Sequence, residues 1–192
     1  MNDECRRIWE AALPYQDKRD DPGHGRIVTV FAEKLLQTED GTESVVIPAA
    51  ILHDIGWSQI PRDTLMRLFD YQPGSEEEKE LRLRHQREGV KLAKNILKQT
   101  QYNDIEVRDI IEIISQHDTR DGLLNQNDAI VRDADKLWMF SQDGFRADLE
   151  RRKLSPDEWS LYLEQVIEKK FFTETARGIA RRELGLRMEE FT

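Results

Sequence analysis

The sequence predicts an all-α fold arranged as a single-domain helical bundle. Apolar residues recur at helical spacing over almost the whole chain, and no alternating run is long enough for a convincing strand. The 192 residues are the length of one ordinary domain. Of these, 38% are hydrophobic and 35% charged, as expected of long helices with one apolar stripe and charged outer faces.

Cys5, Ile8, Trp9 and Ala12 form the stripe of a short first helix that stops near Pro14. Tyr15 to Gly25 is polar and reads as a loop, after which Ile27, Val28, Phe31 and Leu35 mark a second helix. After the polar break QTEDGTE, Ser44 reads as the cap of a third helix with Pro48 in its first turn. That helix is apolar on all sides through Leu52, so it should be the buried central one, ended by Gly56. Asp63 to Phe69 suggests a short helix and Tyr71 to Ser75 a turn.

Ser75 followed by Glu76, Glu77 and Glu78 is a strong helix start, with carboxylates at the positive end of the dipole. That helix runs on through Leu81, Gly89, Leu92, Ala93 and Ile96, and the next carries Val107, Ile110, Ile111 and Ile114. The polar loop DTRDGLLNQN leads into a helix with Val131, Ala134 and Trp138. Ser155-Pro156-Asp157-Glu158 is a capping box with proline at the first helical position, and helices over Trp159–Phe171 and Thr173–Leu184 finish the chain. The tryptophans fall mostly on apolar faces; Trp57, just past the central helix, is placed to line a pocket mouth.

Composition narrows the setting. The formal net charge of -9 argues against coating nucleic acid, which needs clustered Lys and Arg. It leaves room for a small phosphate ligand in a locally positive pocket. The lone cysteine, Cys5, allows no internal disulfide and fits a reducing compartment. No signal-like apolar run opens the chain, and Val45 to Leu52 is far too short to span a bilayer. The expectation is a cytoplasmic protein without membrane attachment; a homo-oligomer is compatible with it.

The four histidines share one property. His24 begins the stripe of Ile27, Val28, Phe31 and Leu35; His85 lies between Leu81 and Gly89; His117 follows Ile114; and His53 ends the all-apolar helix. All four point inward, and each reads as lying near a helix end. Buried imidazoles need partners, either hydrogen bonds within the core or a shared metal. Asp54 at the C-terminal end of the central helix opposes its dipole, and Asp135, on the face of Val131 and Trp138, also points inward. Each needs a cation or several donors. Asp133 competes with Asp135 for that role.

His24, the His53-Asp54 doublet within AAILHDIG, and Asp135 within RDADKL together resemble the HD-domain superfamily of metal-dependent phosphohydrolases. His85 in LRHQREG and His117 in ISQHD resemble its two-metal subset. Ile27 stands where members often carry arginine, with Arg26 before it, and the Gly-Tyr-Pro signature of cyclic dinucleotide phosphodiesterases is absent. The resemblance implies one HD domain over 1–192, with its motif-bearing core at about 23–137 and packing helices at about 156–186.

It further implies a first metal on His24, His53, Asp54 and Asp135, and a second on His85 and His117 with Asp54 bridging. One or two divalent ions (Fe, Mn, Ni, Mg or Zn) suit a donor set without thiolate. The implied reaction is hydrolysis of a phosphate ester or anhydride, most naturally of a nucleotide or related phosphorylated metabolite, by metal-activated water. Asp54 and Lys136 would be the catalytic residues, and Arg26, Arg62, Arg82 and Arg84 are candidate substrate contacts through guanidinium–phosphate pairing. The same ligands resemble those of mixed-valent di-iron oxygenases in the superfamily, and a non-catalytic ligand-binding module is a third reading.

Overall fold

In the computed structural model, which describes residues 1–72 and 74–191, the described residues form α-helices joined by short 3₁₀ turns, with no strand. The helices are α1 (Asp3–Ala12), α2 (His24–Leu35), α3 (Glu43–Leu52), α4 (Arg62–Met66), α5 (Glu76–Gln99), α6 (Asp104–Gln116), α7 (Gln126–Leu137), α8 (Gln142–Arg152), α9 (Pro156–Lys170) and α10 (Glu174–Glu189). The all-α expectation holds. The turn expected at Tyr71–Ser75 includes Pro73, which lies outside the described residues.

Short polar side chains start these helices by accepting a hydrogen bond from the first turn. Ser75 accepts from Glu78 N–H, Asn103 from Ile105 N–H, Asn125 from Asp128 N–H and Thr173 from Ala176 N–H. The reciprocal capping box of Ser155 and Glu158 opens α9 as the sequence predicts.

The central helix α3 buries every residue from Val45 to Leu52 and packs against α1, α2, α6 and α7. Its start differs from the sequence reading. Thr42, not Ser44, holds the cap position, and Pro48 lies in the helix interior rather than in its first turn. A proline there withholds a donor from the carbonyl four residues back. Tyr102 supplies it, donating its hydroxyl to Ser44 O at 2.7 Å, while the Ser44 hydroxyl donates to Glu106.

Two further differences bear on the site. Helix α8 has no counterpart in the sequence reading, because it buries only Gly144, Phe145 and Asp148 and shows no apolar stripe. His85 does not lie near a helix end but well inside the 24-residue α5. There α5 crosses the 3₁₀ turn Ile55–Gln59 so closely that a Cβ on Gly56 would stand 1.9 Å from His85 O and 2.4 Å from Gly89 N. Two glycines therefore let His85 approach the end of α3. A small apolar cluster of Trp57, Ile60, Leu65, Leu68 and Leu81 fastens that turn and α4 to α5.

Candidate metal centre

Five helices deliver ionisable side chains to one point. His24 is the first residue of α2, behind Gly23, whose left-handed backbone (φ 75°) turns the chain into the helix. His53 caps the C-terminus of α3, with Asp54 following, and His117 caps α6. His85 comes from within α5 and Asp135 from the last turn of α7. All four imidazoles are buried, as their stripes predict.

The ligand-type atoms of His24, His53, Asp54 and Asp135 lie within 4.8 Å of one another, as do those of Asp54, His85 and His117. Asp54 belongs to both groups. Its Oδ2 is 3.2 Å from His24 Nε2 and 3.6 Å from His53 Nε2; its Oδ1 is 3.3 Å from His117 Nε2 and 3.5 Å from His85 Nε2. Asp135 Oδ1 is 3.4 Å from Nε2 of both His24 and His53.

Lone pairs and carboxylate oxygens converge at the centre of this arrangement. His53 Nδ1 lies 2.8 Å from Ala50 O and His117 Nδ1 lies 2.9 Å from Ile114 O. A carbonyl only accepts, so both Nδ1 atoms carry a proton, and in the neutral rings both Nε2 atoms present lone pairs to the centre. His53 Nε2 there meets His24 Nε2 at 3.1 Å, and His117 Nε2 meets His85 Nε2 at 3.4 Å. Acceptors converging at such distances need a cation among them, either protons or metal ions.

The acid–base balance shows the same demand. Burial pushes the His24 imidazole down, yet its bonds to Asp135 and Asp54 outweigh burial and hold it at about 10. For His117, burial is outweighed by Asp118 and Asp54, and the ring is held at about 9. Burial also raises the Asp54 and Asp135 carboxyls, but their neighbours keep both well below the usual carboxylate range: foremost the Arg19 guanidinium for Asp54, and hydrogen bonding to the His24 and His53 rings for Asp135. Imidazole nitrogens with carboxylate oxygens and no thiolate suit a divalent transition metal. The residues present thus fit the metal that the sequence resemblance implies.

Residues 23–139 match the family model of the HD domain. The chain belongs to the HD-domain family. A crystal structure of a protein described as a predicted HD superfamily hydrolase, from an uncultured Thermotogales bacterium, shares the fold of this HD-domain chain. The TM-score is 0.61, with 22% identity over 98% of this chain and 87% of that one. No curated protein matches the sequence.

Asp133 and Asp135 part ways in the HD-domain chain. Asp133 is fully buried and accepts from Phe172 N–H, Thr173 N–H and the Thr173 hydroxyl at 2.9–3.2 Å, which joins α7 to the start of α10. Asp135 turns to the histidines. Trp57 does not line a mouth: it is buried, stacks on His85 with centroids 3.9 Å apart, and donates Nε1–H to Asp54 Oδ1 at 3.1 Å.

A cavity of about 160 Å³ opens over the cluster. Its wall includes Arg19, Arg82, Lys136, Arg151 and Arg152, and a second cavity of about 440 Å³ beside it shares Arg82, Arg151 and Arg152 and adds Leu68, Tyr71 and Leu154. Of the four predicted substrate contacts Arg82 stands here, as does Lys136, the predicted catalytic cation. Arg82 pairs with Asp118 at 3.0 Å, and Lys136 Nζ donates to Arg132 O at 2.8 Å. The other three stand elsewhere. Arg26 is exposed on α2, Arg62 pairs with Asp20 at the surface, and exposed Arg84 lines a separate groove with Tyr71 and Leu81.

Sequence reasoning missed Arg19, Asp118, Arg151 and Arg152. For Asp118 a signal existed, since His117-Asp118 is a second His-Asp doublet. Arg19 lies in an aperiodic loop, and Arg151 and Arg152 lie on a helix without a stripe, beyond the matched residues.

Proposed function

We propose that this chain is a metal-dependent hydrolase of a phosphate ester or anhydride, with a nucleotide or related phosphorylated metabolite as substrate. The observation that carries the reading is the pair of ligand groups sharing Asp54 beneath a cavity whose wall sets five cationic side chains beside the carboxylates of Asp21, Asp118, Asp135 and Asp148. His24, His53, Asp54 and Asp135 would hold one divalent metal, and Asp54, His85 and His117 a second. When bound, such ions supply Lewis-acid activation of water and of a phosphoryl oxygen.

The chain's own residues supply position and charge. The carbonyls of Ala50 and Ile114 fix the rings of His53 and His117 with Nε2 facing inward. Trp57 braces His85 from behind and orients Asp54 through its indole N–H. Arg82, Lys136, Arg151 and Arg152 face the space above, where guanidinium and ammonium donors suit phosphate oxygens. Tyr71, Leu68 and Leu154 in the adjoining cavity offer an apolar surface to the group that the phosphate leaves. The lone cysteine, also buried, suits the reducing cytoplasm.

Elemental analysis of protein purified without chelator, beside a His53→Ala/Asp54→Ala variant, tests the centre. Close to two equivalents per chain in the wild type and almost none in the variant is the expected result. Phosphate release from a panel of nucleotides and phosphate monoesters then tests the reaction. Absence of release with every divalent metal supplied, or turnover that requires iron and O₂, would overturn it.

A further inference from the structure

Arg19 differs from the other described cations of the cavity in its partner. Arg82 is paired with Asp118 and Glu78, and Arg151 with Asp148, none of them in the two ligand groups. Arg19 instead donates Nη2–H to Asp54 Oδ2, the oxygen that faces His24 and His53. The guanidinium is also fixed by Asp21, 3.0 Å from Nε and from Nη2, and lies 5.2 Å from the Trp57 ring centroid.

The loop that carries it is shaped for this inward turn. Asp17 and Asp20 both adopt left-handed backbone (φ 56°), an uncommon state for residues other than glycine. Gln16 ties the loop to Ile51 O at 2.7 Å, Asp17 accepts from Gly23 N–H, and Arg151 Nη2 donates to the carbonyls of Arg19 and Asp20. A guanidinium held so firmly on the carboxylate shared by both ligand groups neutralises the charge that a metal would otherwise meet. A metal at that oxygen would meet the guanidinium there, and the two positive charges repel each other.

We propose that Arg19 is the counter-cation of the metal-free centre and an oxyanion ligand of the loaded one. It releases Asp54 when metal is bound and turns within the same cavity to an oxygen of a phosphate-type ligand. This rests on the metal-centre reading and adds to it a residue that lowers metal affinity while raising anion affinity.

The test uses the full chain stripped of metal, with Mn²⁺ and then inorganic phosphate as probes, measured by titration calorimetry. Arg19→Gln removes the charge, and Arg19→Lys keeps it. Arg19→Gln should bind Mn²⁺ roughly tenfold more tightly and, once Mn²⁺-loaded, bind phosphate roughly tenfold more weakly, the scale of one charge-assisted hydrogen bond. Arg19→Lys should return both values toward wild type. A damaged fold would weaken both equilibria, so the opposite signs are the signature. Unchanged or weaker Mn²⁺ binding in Arg19→Gln, or unchanged phosphate binding, overturns the proposal while leaving the metal centre standing. No Mn²⁺ binding by either protein overturns both.

Discussion

At the scale of single residues, the site depends on small groups as much as on its ligands. Gly56 and Gly89 let α5 lie against the turn after α3, and the atoms a Gly56 Cβ would strike belong to backbone, which cannot swing aside. Gly56→Ala should therefore cost about 3 kcal/mol of stability, at the upper end of overpacking penalties. Because it pushes α5 outward, it should also weaken the His85–His117 half of the centre before the His24–His53 half. Chemical denaturation with metal titration checks this: one tight metal and one weakened metal are expected, and two unaltered metals would count against the geometry. Gly178 in α10 is exposed with open space around it, so Gly178→Ala should be neutral or stabilise by about 0.5–1 kcal/mol and serves as the control.

At the scale of elements, the two acids of α7 separate structure from chemistry. Asp133 accepts from buried donors at the start of α10, and removing it leaves Phe172 N–H and Thr173 N–H without that acceptor. Asp133→Ala should destabilise the protein by about 2–4 kcal/mol, since each buried unpaired donor costs about 1–3 kcal/mol, while metal content stays at the wild-type level. Asp135→Ala should lose metal, with a stability cost in the metal-free state set by its lost pairing with His24 and His53. Thermal melts of stripped protein and elemental analysis of both variants read the two effects separately; equal loss of metal in both would contradict the division. Most elements were legible because burial writes a period of 3.6 into the sequence: the stripes of α1, α2, α6 and α7 and the caps Ser75 and Ser155 all stand where expected. Helix α8 was not legible, because its burial is confined to three residues and its polar ties to the rest of the chain run from Arg151 to the carbonyls of Arg19 and Asp20 and from Arg146 to Glu190. The placement of Pro48 escaped for a related reason. Its missing donor is replaced by Tyr102, 58 residues away, and no local pattern announces so distant a partner. The four inward histidines were legible from their stripes, whereas Arg19 reaches Asp54 from a loop that has no period to read.

At the scale of the whole molecule, the cluster draws on α2, α3, α5, α6 and α7, so a cation bound there would join five helices through one carboxylate, Asp54. These helices supply most of the apolar core, and in the metal-free chain protons on His24 and His117 together with Arg19 balance the carboxylates they bring together. A ligand that binds only the folded chain stabilises it by about 2.7 kcal/mol at a hundred times its dissociation constant. For a domain of this size that corresponds to a rise in Tm of roughly 5–10 °C. Chelator should lower the Tm of the wild-type chain by that amount, and Mn²⁺ should restore it. The His53→Ala/Asp54→Ala variant should melt at one temperature whatever the metal concentration. Its own Tm also carries the lost packing of His53 and the lost pairing of Asp54 with Arg19, so the comparison that decides is the response to chelator and not the absolute Tm. A chelator-dependent shift of equal size in the variant would place the stabilising ion away from this cluster, and no shift in either protein would mean that the helices meet without needing a metal to hold them.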